Sequence, residues 1–174
     1  MVAGERRWQQ CGGKKGGQQT GPNPTDRGKP GTKRGRPLGS IAVDRAGIPL
    51  AVKLTGANRH ESPLLLPLLD AIPRIRTPRG GRRKRPEKLH ADKGYDFPVN
   101  RRALRTRGII PRIARRGIES KERLGRYRWV VERDFAWLNQ FKRLAVRYER
   151  RADIHEAFVH LGCSVICLNA FAWE

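Results

Sequence analysis

The stretch KLHADKGYDF, residues 88–97, sets two carboxylates, Asp92 and Asp96, around a Lys-Gly pair where a short apolar run ends. A carboxylate at a strand end that opens into a loop occupies a position from which many folds present reactive groups. A further carboxylate, Glu132, follows in RWVVER. In a positively charged groove, paired carboxylates suit Mg²⁺ or Mn²⁺ held beside a phosphodiester. Two such ions activate the attacking oxygen and stabilise the leaving one. The plainer alternatives are that Asp92 caps the next helix or shapes a turn, or that both carboxylates only neutralise neighbouring arginines.

The chain around them is strongly basic, with 38 Lys and Arg against 16 Asp and Glu in 174 residues, a formal charge of +22. Such a surface attracts polyanions, and nucleic acid is the default partner. Phosphate binding of this kind weakens steeply with salt. A membrane surface is the competing use of such charge, but the sequence suggests no apolar run of about 18 residues and no signal peptide, which points to the cytoplasm and no membrane partner. Cys11, Cys163 and Cys167 form neither a zinc pattern nor an even disulfide set,. GPNPTDRGKPG lacks the Gly-Lys-Ser/Thr of a phosphate-binding loop,.

Several elements must position these groups. Residues 1–39 are rich in Gly, Pro, Gln, Lys and Arg. They are expected to be a disordered basic segment, because little apolar surface offsets their ordering entropy. The folded domain is expected over 40–174. Residues 41–55 predict a hairpin turning at DRAG, followed by a Leu-rich helix from Ser62 that Pro67 should kink. Residues 74–88 carry Arg82, Arg83, Lys84 and Arg85 and predict a mobile, phosphate-contacting loop. A central strand then ends at Asp92. Asp96 is expected to cap a helix over 98–107 that closes at Gly108, and IIPRIA gives the next strand.

A long helix over 125–144 places Val130, Val131, Phe135, Leu138 and Leu144 on one arc, with Glu132 just beyond its edge. Glu132 can therefore look into a site made by the sheet, while Asp134 is a misfit within the apolar arc. In the last helix, Asp153 and Glu156 have capping-box spacing, and Ile154, Phe158, Leu161, Val165 and Leu168 suggest the buried face. His60 and His90 end up near the expected site. Trp129, on the outer arc, has two readings, stacking on a base or packing under a loop. Arg112, Arg115 and Arg116 are candidate phosphate contacts. This order of elements suggests an α/β fold, a mixed sheet flanked by helices.

TGPNPTDRGKPGTK, GIPLAVKLTGANRHES, KLHADKGYD, RIARRGIES, RWVVER and RYERRADIHEAF occur in this order. Together they resemble the catalytic region of bacterial insertion-sequence transposases of the DDE superfamily, specifically the "IS five" group, from about Thr20 to Phe171. The resemblance implies a ribonuclease-H-like fold in which three carboxylates bind two divalent ions, Mg²⁺ or Mn²⁺. It implies cleavage of transposon ends and their joining to target DNA, in a bacterial, nucleoid-associated setting that leaves room for a homodimer. Asp92 then corresponds to the second metal-binding Asp, Glu132 to the catalytic Glu, and Arg128 to a basic residue that contacts DNA or orients Glu132. The first Asp of such proteins lies on the opening strand, where this chain has MVAGERRWQQC, without an Asp. The expectation is a catalytic domain lacking its first strand, from a truncated, impaired copy, or else a non-catalytic DNA-binding remnant.

Overall fold

The computed structural model describes residues 2–4, 21–22, 30–31, 40–55, 60, 62–77, 80–115 and 125–172, with side chains unassigned in the first three stretches and at 125–128. Its strands are β1 (Val2–Gly4), β2 (Gly21–Pro22), β3 (Pro30–Gly31), β4 (Ser40–Val43), β5 (Pro49–Lys53), β6 (Ile75–Arg76), β7 (Arg82–Arg83), β8 (Lys88–Ala91) and β9 (Ile110–Ile113). Its helices are α1 (Leu65–Asp70), α2 (Pro98–Thr106), α3 (Gly125–Gln140), α4 (Lys142–Ala145) and α5 (Ala152–Phe171).

Five strands form one mixed sheet in the order β5-β4-β1-β8-β9. β1 pairs antiparallel with β4 and parallel with β8. This corrects the expectation of a missing first strand and of a fold that begins near Ser40: Val2–Gly4 is the central strand. Three residues suffice because a strand flanked on both sides gains ladder hydrogen bonds along both edges, which composition alone does not reveal. β2 and β3 also pair with each other inside the segment expected to be disordered. The remainder of residues 1–39 lies outside the described residues.

The expected hairpin is β4–β5, with antiparallel register from Ser40↔Lys53 and an irregularity at Ala42/Val43. Its turn closes because Asp44 Oδ1 accepts the Ala46 and Ile48 N–H groups, both at 2.8 Å. Gly47 supplies the left-handed residue at φ 88°,.

Each face of the sheet carries its own core. On one, Ile41, Val43, Val52 and Leu54 pack with Val130, Val131, Phe135 and Leu138 of α3, and with Val159, Cys163 and Ile166 of α5. On the other, Ala42, Leu89 and Ala91 pack with Leu65, Leu68 and Leu69 of α1, and with Leu104 of α2. Full burial of a leucine or valine contributes about 1.5–3 kcal/mol.

Several local expectations need correction. Pro67 does not kink α1, because it lies in the first turn, just after the 3-10 turn Ser62–Leu64, where its missing N–H costs nothing,. Residues 74–88 are not a bare loop, since β6 and β7 pair as a ribbon, Ile75↔Arg83 and Arg76↔Arg82. The long helix breaks at Phe141, ψ 112°, into α3 and α4. There Gly162 of α5 comes so close that an added Cβ would sit 2.9 Å from Leu144 Cδ1 and 3.0 Å from Leu138 Cδ2. Asp153 forms no capping box: Arg151 is the N-cap, without a side-chain bond, and Asp153 pairs with its guanidinium at 2.5 Å.

The inward face of α5 is Ala152, His155, Val159, Gly162, Cys163 and Ile166, whereas Ile154, Leu161 and Leu168 are exposed. Residues 152–172 also reach the length and mean hydropathy of a membrane span, against the sequence expectation. The helix nevertheless packs one side into the core beside β5.

Candidate functional site

β8 lies between β1 and β9, parallel to both, with Leu89↔Pro111, His90↔Arg112 and Ala91↔Ile113. Its alternation sends Leu89 and Ala91 into the α1/α2 core. His90, and Asp92 just past the strand, therefore face the side covered by α3. Asp92 is extended (φ −69°, ψ 164°) and its Oδ1 accepts the Lys93 N–H at 2.6 Å, capping the 3-10 turn Lys93–Tyr95. Strand end and cap, alternatives in the sequence, are one position here.

The loop after Asp92 is pinned from below. Tyr95 is fully buried and its hydroxyl shares a 2.7 Å hydrogen bond with that of Ser40. Asn100, also buried, donates to Ser62 Oγ at 2.8 Å and to the Tyr95 carbonyl at 3.1 Å. These supports were missed in the sequence. The available signals were an aromatic three residues after the carboxylate and an amide on the inner side of a short helix.

Asp96 is not the cap of α2, whose N-cap, Phe97, makes no side-chain bond. Its carboxylate pairs with Arg101 at 2.7 Å, and Arg101 also donates to the Ile113 carbonyl at 2.8 Å. Asp96 thus ties α2 to the end of β9. His60 Nδ1 accepts the Ser62 N–H at 3.1 Å and its ring sits edge-on to Phe97 at 5.3 Å, a structural role.

Glu132 is half-buried on α3, a helix that packs across β1 and β4. Its neighbours Val130 and Val131 point into the core, which leaves Glu132 on the flank, as the helical wheel indicates,. Arg133 lies over the rings of Trp129 and Trp137, at 4.8 and 4.7 Å, and donates to the Ala46 carbonyl. Trp129, half-exposed, therefore packs under a guanidinium,.

Arg112 lies opposite His90 on β9, and Arg115 follows the end of that strand, so both flank the Asp92 end of the sheet. Burial lowers the His90 pKa from its ordinary value, and the positive charges of Arg112 and Lys88 lower it further. Such a basic setting favours anionic partners. Arg82, Arg83, Lys84 and Arg85 are elsewhere, before the start of β8 and so beyond the opposite end of that strand. The Arg116 residue and the Arg128 side chain lie outside the described residues.

Asp92 and Glu132 thus fall on the same side of the sheet, where the resemblance expects metal ligands. Among the described residues, no three His, Cys, Asp or Glu side chains gather closely enough to hold a metal. β1 pairs Val2 with His90 and Ala3 with Ala91, so one further step sets Gly4 level with Asp92. In a sheet, residues at the same level on paired strands share a face. Among the described residues the donor set does not complete a two-ion centre.

Residues 7–169 match the family described as "Transposase DDE domain". The chain is 53% identical over 169 residues to the "Putative transposase for insertion sequence element IS402" of Burkholderia cepacia, covering 97% of this chain and 74% of that protein. It is 31% identical over 139 residues to the "Transposase for insertion sequence element IS1106" of Neisseria meningitidis serogroup B, covering 73% of this chain and 43% of that protein. No solved structure matches it. The chain belongs to the DDE transposase family of insertion sequences, a family whose name and chemistry imply divalent metal use and DNA as partner.

Proposed function

We propose that this chain is a DDE transposase of the "IS five" group that handles duplex DNA, transposon ends and target, but is impaired in cleaving it. Asp92 and Glu132 are the two carboxylates retained from the metal site, and Arg112 and Arg115 are the cations that hold phosphates beside them. A sheet with β5, β4 and β1 antiparallel, followed by β8 and β9 parallel to β1, supports a ribonuclease-H-like domain. The bacterial cytoplasm, at the nucleoid, is the setting such a protein requires, and a homodimer is the assembly that would bring two transposon ends together.

The observation that carries the impaired reading is the register of β1, which offers Gly4 beside Asp92 in place of a third carboxylate. Aligning two ions takes ligands on both sides of them, and a glycine supplies none. The test incubates end-sequence duplex with the full chain and Mn²⁺, comparing wild type with Asp92→Ala. Salt-sensitive binding by both, with nicking by neither, is expected. Nicking by wild type that the substitution abolishes overturns the impairment, and absence of binding overturns the DNA-handling role.

The charge of +22 favours a second reading, a non-catalytic DNA-binding remnant that competes with an intact transposase for its ends,. Addition of this chain to an active relative would then lower cleavage in proportion to the ends it occupies.

A further inference from the structure

The β6–β7 ribbon stands apart from the carboxylates. β8 is only four residues long. The ribbon precedes its first residue and Asp92 follows its last, which separates the two by roughly 13 Å of strand at about 3.3 Å per residue. Lys84, Arg85 and Pro86, at the base of the ribbon, border a hollow shared with Leu69 and Asp70 of α1, and with Arg107 and Ile109 at the end of α2. The ribbon is thus seated on the far end of the domain, where Arg107 pairs with Asp70 at 2.7 Å. Its turn is closed by the Thr77 N–H on the Gly81 carbonyl at 2.8 Å and the Gly80 N–H on the Thr77 carbonyl at 2.9 Å. Gly80 takes the left-handed conformation, φ 82°.

What the ribbon displays is cationic and uncommitted. Arg74, Arg76, Arg82, Arg83, Lys84 and Arg85 are all exposed. Among the described residues none of the six pairs with a carboxylate: the nearby acids are taken, Glu87 by Lys88 at 3.5 Å and Asp70 by Arg107. Opposite pleat positions put Arg83 on one face of the ribbon and Arg76 with Arg82 on the other,. Five of the six cations line one open hollow with Thr77 and Gly81. Concentrated like charge without internal partners repels itself, and a polyanion relieves that repulsion.

We infer that this ribbon is a second DNA-docking surface, remote from the carboxylates, that lies in the major groove of duplex DNA and grips the phosphates on both sides. The inference rests on the DNA-handling reading above. Two strands about 4.8 Å apart, with arginines reaching out on both faces, match a groove about 12 Å wide that admits a two-stranded ribbon. Residues 74–88 contain no aromatic side chain, so the ribbon lacks the stacking platforms that single-stranded nucleic acid is bound by. The deep, narrow major groove of duplex RNA excludes it.

The experiment measures the affinity of the full chain for a labelled duplex across a salt series in chelator, so that metal plays no part. Wild type is compared with the ribbon variant Arg82→Gln/Arg83→Gln/Arg85→Gln and with a control that removes three exposed cations elsewhere, Arg45→Gln/Lys142→Gln/Arg150→Gln. The ribbon variant should lose affinity at least tenfold, and its plot of log affinity against log salt should flatten by about 2 to 3, near 0.9 per phosphate released. The control should flatten by less than about 1. All substituted residues are exposed, and matching melting curves verify that each variant is folded. Wild type that binds no duplex defeats the DNA-handling reading itself. Wild type that binds, with both variants weakened alike, defeats the ribbon alone. Single-stranded RNA competing as well as duplex DNA overturns the choice of partner.

Discussion

Ala3 pairs in parallel register with Ala91, the residue before Asp92, so the next residue of the central strand, Gly4, comes level with the candidate metal ligand. The consequence falls one step further on, at Gly4.

Gly4→Asp would add the carboxylate that the register leaves out. Gly4 is within a strand, whose extended backbone an aspartate adopts,. Mn²⁺ affinity, read by calorimetry or by loss of the free-ion paramagnetic signal, should rise tenfold or more. Asp92→Ala placed on top should remove the whole gain. Equal Mn²⁺ binding by wild type and Gly4→Asp would show that position 4 does not face Asp92.

Tyr95→Phe tests the support beneath the Asp92 loop. The change keeps the ring in its buried site but leaves the fully buried Ser40 hydroxyl without the 2.7 Å partner it has now. The expected cost is about 1–2 kcal/mol of stability in denaturant unfolding. Protection of the Lys93–Tyr95 amides against hydrogen exchange should fall by more than that of β4, because the loop loses its anchor while the hairpin keeps its ladder.

Much of this arrangement is legible in the residues and some of it is not. Short apolar runs in KLHA and IIPRIA give the strands, and the apolar arc from Val130 to Leu138 gives the buried side of α3 together with Glu132 on its flank. Asp92 at a strand end is legible because the apolar run stops there. Three kinds of error have physical causes. A three-residue central strand such as VAG has too few positions for any period to show. The paired ribbon at Ile75–Arg83 owes its form to a Thr77–Gly81 turn, hidden within a run of like charge. The buried face of α5 is misassigned because Leu161 and Leu168 are larger than Gly162 and Cys163, yet close approach to Leu138 and Leu144 requires the small residues.

That close approach makes Gly162→Val costly. Even a methyl at Gly162 would meet Leu144 Cδ1 at 2.9 Å and Leu138 Cδ2 at 3.0 Å, and both leucines are fully enclosed. Valine should improve the intrinsic helix propensity of α5 but overfill this contact by more, for a net loss of about 1–3 kcal/mol. Gly162→Val combined with Leu144→Ala should recover part of that loss, since the cavity made by one change receives the methyls of the other. Additive destabilisation in the double variant would show that α5 does not meet the α3–α4 break at this point.

Asp134 provides the pH dependence. It lies fully buried within the apolar arc of α3, and among the described residues neither carboxylate oxygen has a hydrogen-bond partner. Burial pushes its pKa up to about 7, against a smaller downward pull from Arg133 and with a further upward push from Asp44. A group whose folded pKa exceeds its unfolded value, near 4, supports the fold fully below that lower value and loses its contribution as pH rises through the upper one. Stability should therefore decline between about pH 4 and 7. Asp134→Asn, uncharged at every pH, should flatten this decline and be more stable than wild type at pH 8, by about 1–3 kcal/mol. Melting temperatures of the two proteins across this range decide the matter: parallel curves would mean that Asp134 is not the titrating group.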